Sequence, residues 1–387
     1  MSNASHRIAA IDGLRGLAII NVVLFHQFYY FERVRDQSFW HWHGWAFSAK
    51  TLLYNGSIGV SMFFVLSGFV LALPFMEHRR SMHTVRDVLG WYGRRALRLL
   101  PLCYGSLLLI FIVQKTVPSF SHALSLFFFT FIFHQGTFFP VENPVLWSLA
   151  VEWWMCLAAP VLLMCMRRWG CIRVLATVVT SSAVMRLVGA TVPWIYPVTP
   201  MVVLTHSPLA HLDLFIAGMV VAHSYARGII RPQAGLLCIG LLFLLLYGNL
   251  LDNIRLGVRI PTLYILSGWL IGFATVAFLA VVLTAPASVF ARMLSFPPLT
   301  WVGRACYSIY IWHMPLARMW GPLVGVRDSL LYFSMLGAIS IASWMVFEHG
   351  CTVLVSAIHH RHTYRKPKIL AHISIPVIDG ALLKRPS

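Results

Sequence analysis

The chain has 387 residues, of which 59% are hydrophobic and 11% charged, and its mean hydropathy is +0.75. A soluble chain of this length has no use for so much apolar surface, so these values exclude that class and indicate a polytopic membrane protein. The formal net charge of +18 does not indicate a nucleic-acid partner, because the arginines stand in short segments between apolar spans, which is a pattern of membrane topology.

Apolar runs fall near residues 16–31, 57–75, 99–114, 123–139, 147–166, 174–192, 209–225, 234–251, 262–284, 300–320 and 329–348. Between them lie basic clusters at Arg79, Arg80, Arg86, Arg94, Arg95 and Arg98, at Arg167, Arg168 and Arg173, at Arg227 and Arg231, and at Arg292 and Arg304. A last cluster holds Arg361, Arg365, Lys366 and Lys368. All are cytoplasmic by the positive-inside rule only if one run before Arg167 does not cross. The run 123–139, broken by His134, Gln135 and Gly136, is the candidate for a partial or re-entrant element. The expectation is therefore an all-α fold of about ten transmembrane helices, with both termini cytoplasmic and outer loops at 32–56, 193–208, 252–261 and 321–328. Residues 1–350 form the membrane domain and 351–387 a basic tail. No cleavable signal peptide is expected, since the first run carries Arg15 at its mouth and His26 within it.

Within the first run, Arg15 and His26 are eleven residues apart. Eleven steps of about 100° return to nearly the same face, roughly 16 Å further along the helix, so both side chains are expected to look into one groove. A histidine inside a membrane helix is costly and usually functional, and a neutral imidazole serves as a general base toward an alcohol. The alternative is an imidazole bonded only to a neighbouring helix. Arginine suits phosphate through paired charge-assisted bonds, and Gly13 and Gly16 around Arg15 leave room for a ligand to approach the backbone. Alone, Arg15 is equally an interfacial topology marker.

Arg95 and Arg98, three apart in GRRALRLLP, share a helical face and would join Arg15 in a cradle for a ligand with several phosphates, unless topology alone explains them. In LWSLAVEWW, which holds Trp147, Glu152 sits inside an apolar span, where an unpaired carboxylate is expensive. It either orients a substrate hydroxyl, holds the imidazolium of His26, or bonds an arginine structurally. In YSIYIWH, Tyr310 and His313 lie three apart on one face, as site residues or as interfacial ones. Asp213, Asn21 and His223 are further intramembrane polar groups, read as structural. The aromatic loop holding Trp40, His41, Trp42, His43 and Trp45 suits an interfacial belt or sugar stacking, and its two histidines are a weak metal signal. Cys103, Cys156, Cys165, Cys238 and Cys306 read as small core residues without metal-like pairing. Elbow, P-loop, H-E-x-x-H and dinucleotide signatures are missing.

Taken in order, Arg15 with His26, RRALRLLP at 94–101, WSLAVEWW at 147–154 and YSIYIWH at 307–313 resemble the acyltransferase 3 family of integral membrane O-acyltransferases. The resemblance covers nearly the whole chain. It implies a ten-helix core in a bacterial inner membrane, with acyl-CoA, most often acetyl-CoA, as cytoplasmic donor and no metal. The acceptor it implies is a hydroxyl-bearing glycan, glycolipid or glycosylated small molecule such as a macrolide. By motif, His26 corresponds to the essential histidine and Arg15 to its partner. Arg95 and Arg98 match the donor-side basic pair and Glu152 the acidic residue of the fifth helix, with Tyr310, His313 and Trp147 expected to position substrate. Some relatives add an extracytoplasmic hydrolase-like domain that receives the acyl group; its absence here implies transfer inside the membrane domain or onto a separate protein. Two rivals use the same intramembrane polar groups: a transporter, which would show inverted repeats, and a haem or quinone protein, which would pair histidines on facing helices.

Overall fold

The structure, a computed structural model, describes residues 8–30, 40–42, 45–47, 51–80, 82, 84–191, 200–233, 235–255, 260–323 and 325–350. The basic tail 351–387 and His43 lie outside these residues, as do parts of the loops 32–56, 193–208, 252–261 and 321–328. The chain runs as α1 (Ala9–Leu24), a short hairpin of β1 (Trp40–Trp42) and β2 (Trp45–Phe47), then α2 (Thr51–Tyr54), α3 (Ser57–Met76), α4 (Val85–Gln114) and α5 (Phe120–Phe127). It continues through α6 (Leu146–Trp169), α7 (Cys171–Thr191), α8 (Pro200–Thr205), α9 (Pro208–Ala226), α10 (Leu236–Arg255) and α11 (Thr262–Thr284). The last elements are α12 (Val289–Leu294), α13 (Pro297–Arg304), α14 (Cys306–Trp320) and α15 (Gly325–Ser343). The fold is an all-α membrane bundle, and the hairpin, with Trp40 opposite Phe47 and Trp42 opposite Trp45, is a small addition to it.

Nine helices among the described residues are long and apolar enough to cross a membrane. A tenth expected span, 300–320, is divided at Ala305 into α13 and α14. At 1.5 Å per residue α14 is only about 22 Å long, short of the hydrocarbon thickness, so its ends are set by protein contacts more than by lipid. The run 123–139 is a partial element: α5 is followed by single 3₁₀ turns at Phe131–Phe133 and Gln135–Thr137.

Local chemistry sets the boundaries. A capping box opens α4, in which Asp87 N–H donates to the Thr84 hydroxyl and Thr84 N–H donates to the Asp87 carboxylate. Ser207 caps α9, with Pro208 at its first turn. The centre of the bundle is α3, buried over 72% of its apolar stretch, whereas α7 and α15, at 22%, belong to its rim. Glycine makes the central crossing possible: a methyl group added at Gly68 would overlap the Phe215 carbonyl, and one at Gly218 the Val65 carbonyl.

The same device fixes α1. A methyl at Gly13 would strike the carbonyl of Leu294, one at Gly16 that of Leu299, and one at Gly303 the carbonyl of Asp12. The space these glycines leave around Arg15 is therefore filled by α12 and α13, not by a ligand. That close docking fixes the height at which Arg15 emerges from α1.

Candidate active site

Arg15, Arg95, Arg98, Glu152 and Tyr310 line one cavity with about 760 Å³ of open space, together with side chains of α3 and the start of α14. Each of five helices supplies a polar group: α1 brings Arg15, α3 brings Ser67, α4 brings Arg95 and Arg98, α6 brings Ser148 and Glu152, and α14 brings Tyr307 and Tyr310. Three guanidiniums face one carboxylate in this wall, so the cavity is suited to a polyanion. Further carboxylates stand behind it, and those of Asp12, Glu152 and Glu348 all act electrostatically on Arg15. Asp12 lies 4.0 Å from Arg15 and 3.6 Å from Arg304.

Glu152 faces the cavity, and its Oε1 accepts from Ser67 at 2.9 Å and lies 3.7 Å from Arg95. Arg95 Nε is buried with no hydrogen-bond partner among the described residues.

His26 does not line this cavity. At Phe25 helix α1 passes into a π-helical turn, Phe25–Tyr30, and the His26 ring is drawn back along its own helix so that Nδ1 stands 2.9 Å from the Val22 carbonyl. His26 lies two residues past the regular part of α1, in the π-helical turn, and is not among the residues that line the cavity with Arg15. The imidazole meets α14 instead: His313 Nε2 is 3.4 Å from His26 Nδ1, and the ring centroids are 5.0 Å apart.

Donor and acceptor logic fixes both tautomers. His313 Nδ1 lies 2.7 Å from the Tyr310 carbonyl, which can only accept, so Nδ1 carries the hydrogen and Nε2 the lone pair. His26 Nδ1 faces the Val22 carbonyl and so is also protonated, sharing its hydrogen with His313 Nε2. His26 Nε2 then carries the lone pair, as a general base requires.

Tyr310 joins the imidazoles to the cavity. Its ring is 5.4 Å from that of His313, its hydroxyl donates to the Val145 carbonyl at 2.8 Å, and the Ser148 hydroxyl lies 2.5 Å from it. Asn143 adds a further clasp between these elements by donating to the Ile311 carbonyl at 2.9 Å. The start of α14 is held by Glu348, whose Oε1 accepts from Ser308 Oγ at 2.6 Å and Ser308 N at 3.2 Å.

Several of these groups escape a sequence reading. Ser67, Ser148, Ser308 and Glu348 gain meaning only across separations of 40 to 162 residues. Glu348 alone gave a signal, as a carboxylate at the end of an apolar run. Trp147, expected beside substrate, faces a second cavity with His206, His211 and Arg186. Asp213, read from the sequence as structural, forms a bidentate pair with Arg186 at 2.7 Å and 2.7 Å. Asn21 bonds the Leu52 carbonyl and the Gly59 amide.

Comparison with known proteins bears on this arrangement. The chain is 27% identical to the peptidoglycan O-acetyltransferase OatA of Listeria monocytogenes, over 85% of this chain and 52% of that protein. It is 27% identical to the putative peptidoglycan O-acetyltransferase YrhL of Bacillus subtilis, over 86% and 52%. To the O-acetyltransferase OatA of Staphylococcus aureus it is 23% identical, over 80% and 50%. The chain thus spans about half the length of these relatives. No solved structure matches it. Residues 8–349 match the family described as an acyltransferase domain, a stretch that takes in every site residue above, and the chain belongs to the acyltransferase 3 family.

Proposed function

We propose that this chain is a membrane O-acyltransferase that moves an acyl group, acetyl first among them, from acyl-CoA to a hydroxyl of a surface glycan. The observation that carries this reading is the cavity with three arginines, linked through Tyr310 to a pair of imidazoles inside a lipid-embedded bundle. Arg15, Arg95 and Arg98 would bind the phosphates of the donor, each as a charge-assisted donor set. Arg167, Arg168 and Arg173 cluster at the bundle end from which α1 and α4 also start, so this mouth is cytoplasmic by the positive-inside rule, where acyl-CoA is made. That topology would put both termini of the chain on the cytoplasmic side of a bacterial cell membrane.

The chemistry asked of the imidazoles is balanced. An acceptor hydroxyl gives its proton to His26 Nε2 while its oxygen bonds to the thioester carbonyl carbon. The carbon–sulfur bond breaks, and the departing thiolate takes the proton from His26, leaving an ester and a free thiol. His313 Nε2 accepts the His26 Nδ1–H throughout, which keeps Nε2 pointed at the reacting oxygen and stabilises the transient imidazolium. Glu152 positions Arg95. Two relatives are named for peptidoglycan O-acetylation, which makes peptidoglycan the first acceptor to test, with other glycans, glycolipids and glycosylated small molecules such as macrolides to follow.

The test is transfer by the purified full chain in lipid nanodiscs, supplied with labelled acetyl-CoA and soluble peptidoglycan fragments. Label should enter the sugar as a base-labile ester while one thiol is released per ester. Thiol release no faster than in empty nanodiscs, across a panel of glycans, would overturn the reading.

A further inference from the structure

A second cavity, with about 650 Å³ of space that is in part open to the outside, lies against the first and takes no part in the donor site just described. Its walls come from Ser57 and Ser61 at the start of α3, Trp147 at the start of α6, His211 at the start of α9, Tyr264 at the start of α11, and Arg186 at the end of α7. In a bundle whose helices alternate in direction, all these helix ends belong to the face opposite Arg167, Arg168 and Arg173. The arginine-lined cavity serves one face and this cavity the other.

The partition between them is about one side chain thick. Val60 lines both cavities. Trp147 faces the second while its neighbour Ser148 faces the first, where it meets the Tyr310 hydroxyl. Phe64 of the first cavity lies 5.2 Å, ring to ring, from His211 of the second. Phe25, next to His26, packs on Gly56, which precedes the lining residue Ser57. The imidazole pair adjoins both walls through these neighbours, His313 through Tyr310 of the first cavity and His26 through Phe25 beside Gly56.

The chemistry of the second cavity differs from that of the first. Its formal charges cancel, because Arg186 is tied to Asp213 by two bonds and both side chains are 4% exposed. What remains are groups that both give and accept hydrogen bonds: imidazoles, serine and threonine hydroxyls, and phenols. His211 is the sharpest of these, since both of its ring nitrogens are closed off from solvent and neither has a hydrogen-bond partner among the described residues. Buried polar atoms of that kind call for an explanation. A ligand with more than one hydroxyl answers it, one hydroxyl donating to the unprotonated nitrogen and a second group accepting from the protonated one. Trp147, 5.1 Å from His206 and 6.2 Å from His211, gives an apolar ring face beside them. Mixed donors and acceptors around an aromatic plane, without net charge, fit a neutral pyranose and disfavour an anion.

We propose that this second cavity, built on Trp147, His206, His211 and the Arg186–Asp213 pair, is the subsite for the acceptor sugar, entered from the face opposite the donor. It rests on the acyltransferase reading for the word acceptor, and on the cavity alone for the sugar.

The experiment measures both. Binding of chitotetraose, a neutral amino-sugar oligomer, to the full chain in nanodiscs is followed by saturation-transfer NMR, and coenzyme A binding is followed in parallel. His211→Ala and Trp147→Phe are compared with the unaltered chain; the second variant keeps an aromatic ring and guards against a folding defect. Each should weaken sugar binding tenfold or more and leave coenzyme A binding within twofold, and where transfer is seen should raise the acceptor KM by the same factor. Sugar binding that is absent, or unchanged by both substitutions, would overturn the subsite even if transfer proceeds. Sugar binding that depends on this cavity without any transfer would uphold the subsite and overturn the acyltransferase reading.

Discussion

His313 Nε2 lies 3.4 Å from His26 Nδ1, joining helices 287 residues apart in the chain. The contact gives each imidazole a separate duty: His26 is placed to move a proton, and His313 to hold it in the tautomer that can. Removing the base should cost the whole general-base factor, on the order of a hundredfold to ten-thousandfold in kcat. His26→Ala is therefore expected to abolish measurable transfer. For the positioning residue the expected pattern differs: His313→Ala lowers kcat about ten- to a hundredfold with donor KM unchanged, and His313→Gln, which retains an acceptor oxygen, recovers part of the loss. Steady-state kinetics with labelled acetyl-CoA separates the two cases. Equal donor KM increases in both histidine variants would refute the division of labour.

The arginines carry a prediction about binding. Arg15, Arg95 and Arg98 line a wall that holds one carboxylate, Glu152. Hydrogen bonds to charged groups contribute roughly 1.5–3 kcal/mol each, so Arg98→Ala should raise the apparent donor KM by about tenfold or more with a smaller change in kcat. Removing a phosphate from the donor should cost the unaltered chain more than it costs Arg98→Ala. Equal losses would place that phosphate elsewhere.

Glu348 bears on stability as well as activity. It accepts two hydrogen bonds from Ser308 and closes the start of α14, the helix that carries Tyr310 and His313. Glu348→Ala leaves a buried amide and hydroxyl without their acceptor, a loss of about 1–3 kcal/mol. Thermal inactivation in nanodiscs should shift to lower temperature, and Glu348→Gln, which keeps an acceptor oxygen, should fall between the two. Unchanged inactivation in Glu348→Ala would show that α14 is held by other contacts.

Hydropathy made the spans legible, and so did the chemical cost of placing Arg15, His26 and Glu152 in them, because a polar group in an apolar run stands out whatever the fold. Relationships between runs did not. A 100° step puts Arg15 and His26 on one face, yet only the fold shows that the His26 ring meets His313 of α14 from within a π-helical turn, and nothing in FHQFYY announces that turn. Gly13 and Gly16 mark a close approach, but only the fold shows that α12 and α13 make it. Arg186 lay unnoticed in the run 174–192 because its partner Asp213 is 27 residues away. His206 and His211 flank a proline at the end of a loop, where polar residues draw no notice.

That buried pair yields the last prediction. Arg186 and Asp213 are nearly inaccessible and share two hydrogen bonds of 2.7 Å, and the guanidinium lies so close to Gly268 that a methyl there would overlap it. Removing one member leaves a charge in an apolar bundle without its counterion, a penalty of about 3–5 kcal/mol, whereas replacing both with apolar residues of like volume is often close to neutral. Arg186→Met and Asp213→Leu should each destabilise the bundle strongly, and the double variant should regain most of the loss, as a double-mutant cycle of thermal inactivation would register. Binding should follow a different order. If the pair only holds helices α7 and α9 together, the double variant keeps its sugar affinity; if it also presents polar groups to a sugar, affinity stays lost after stability returns. The subsite reading requires the second outcome, because a guanidinium bonded through one hydrogen on each terminal nitrogen retains another on each for a ligand.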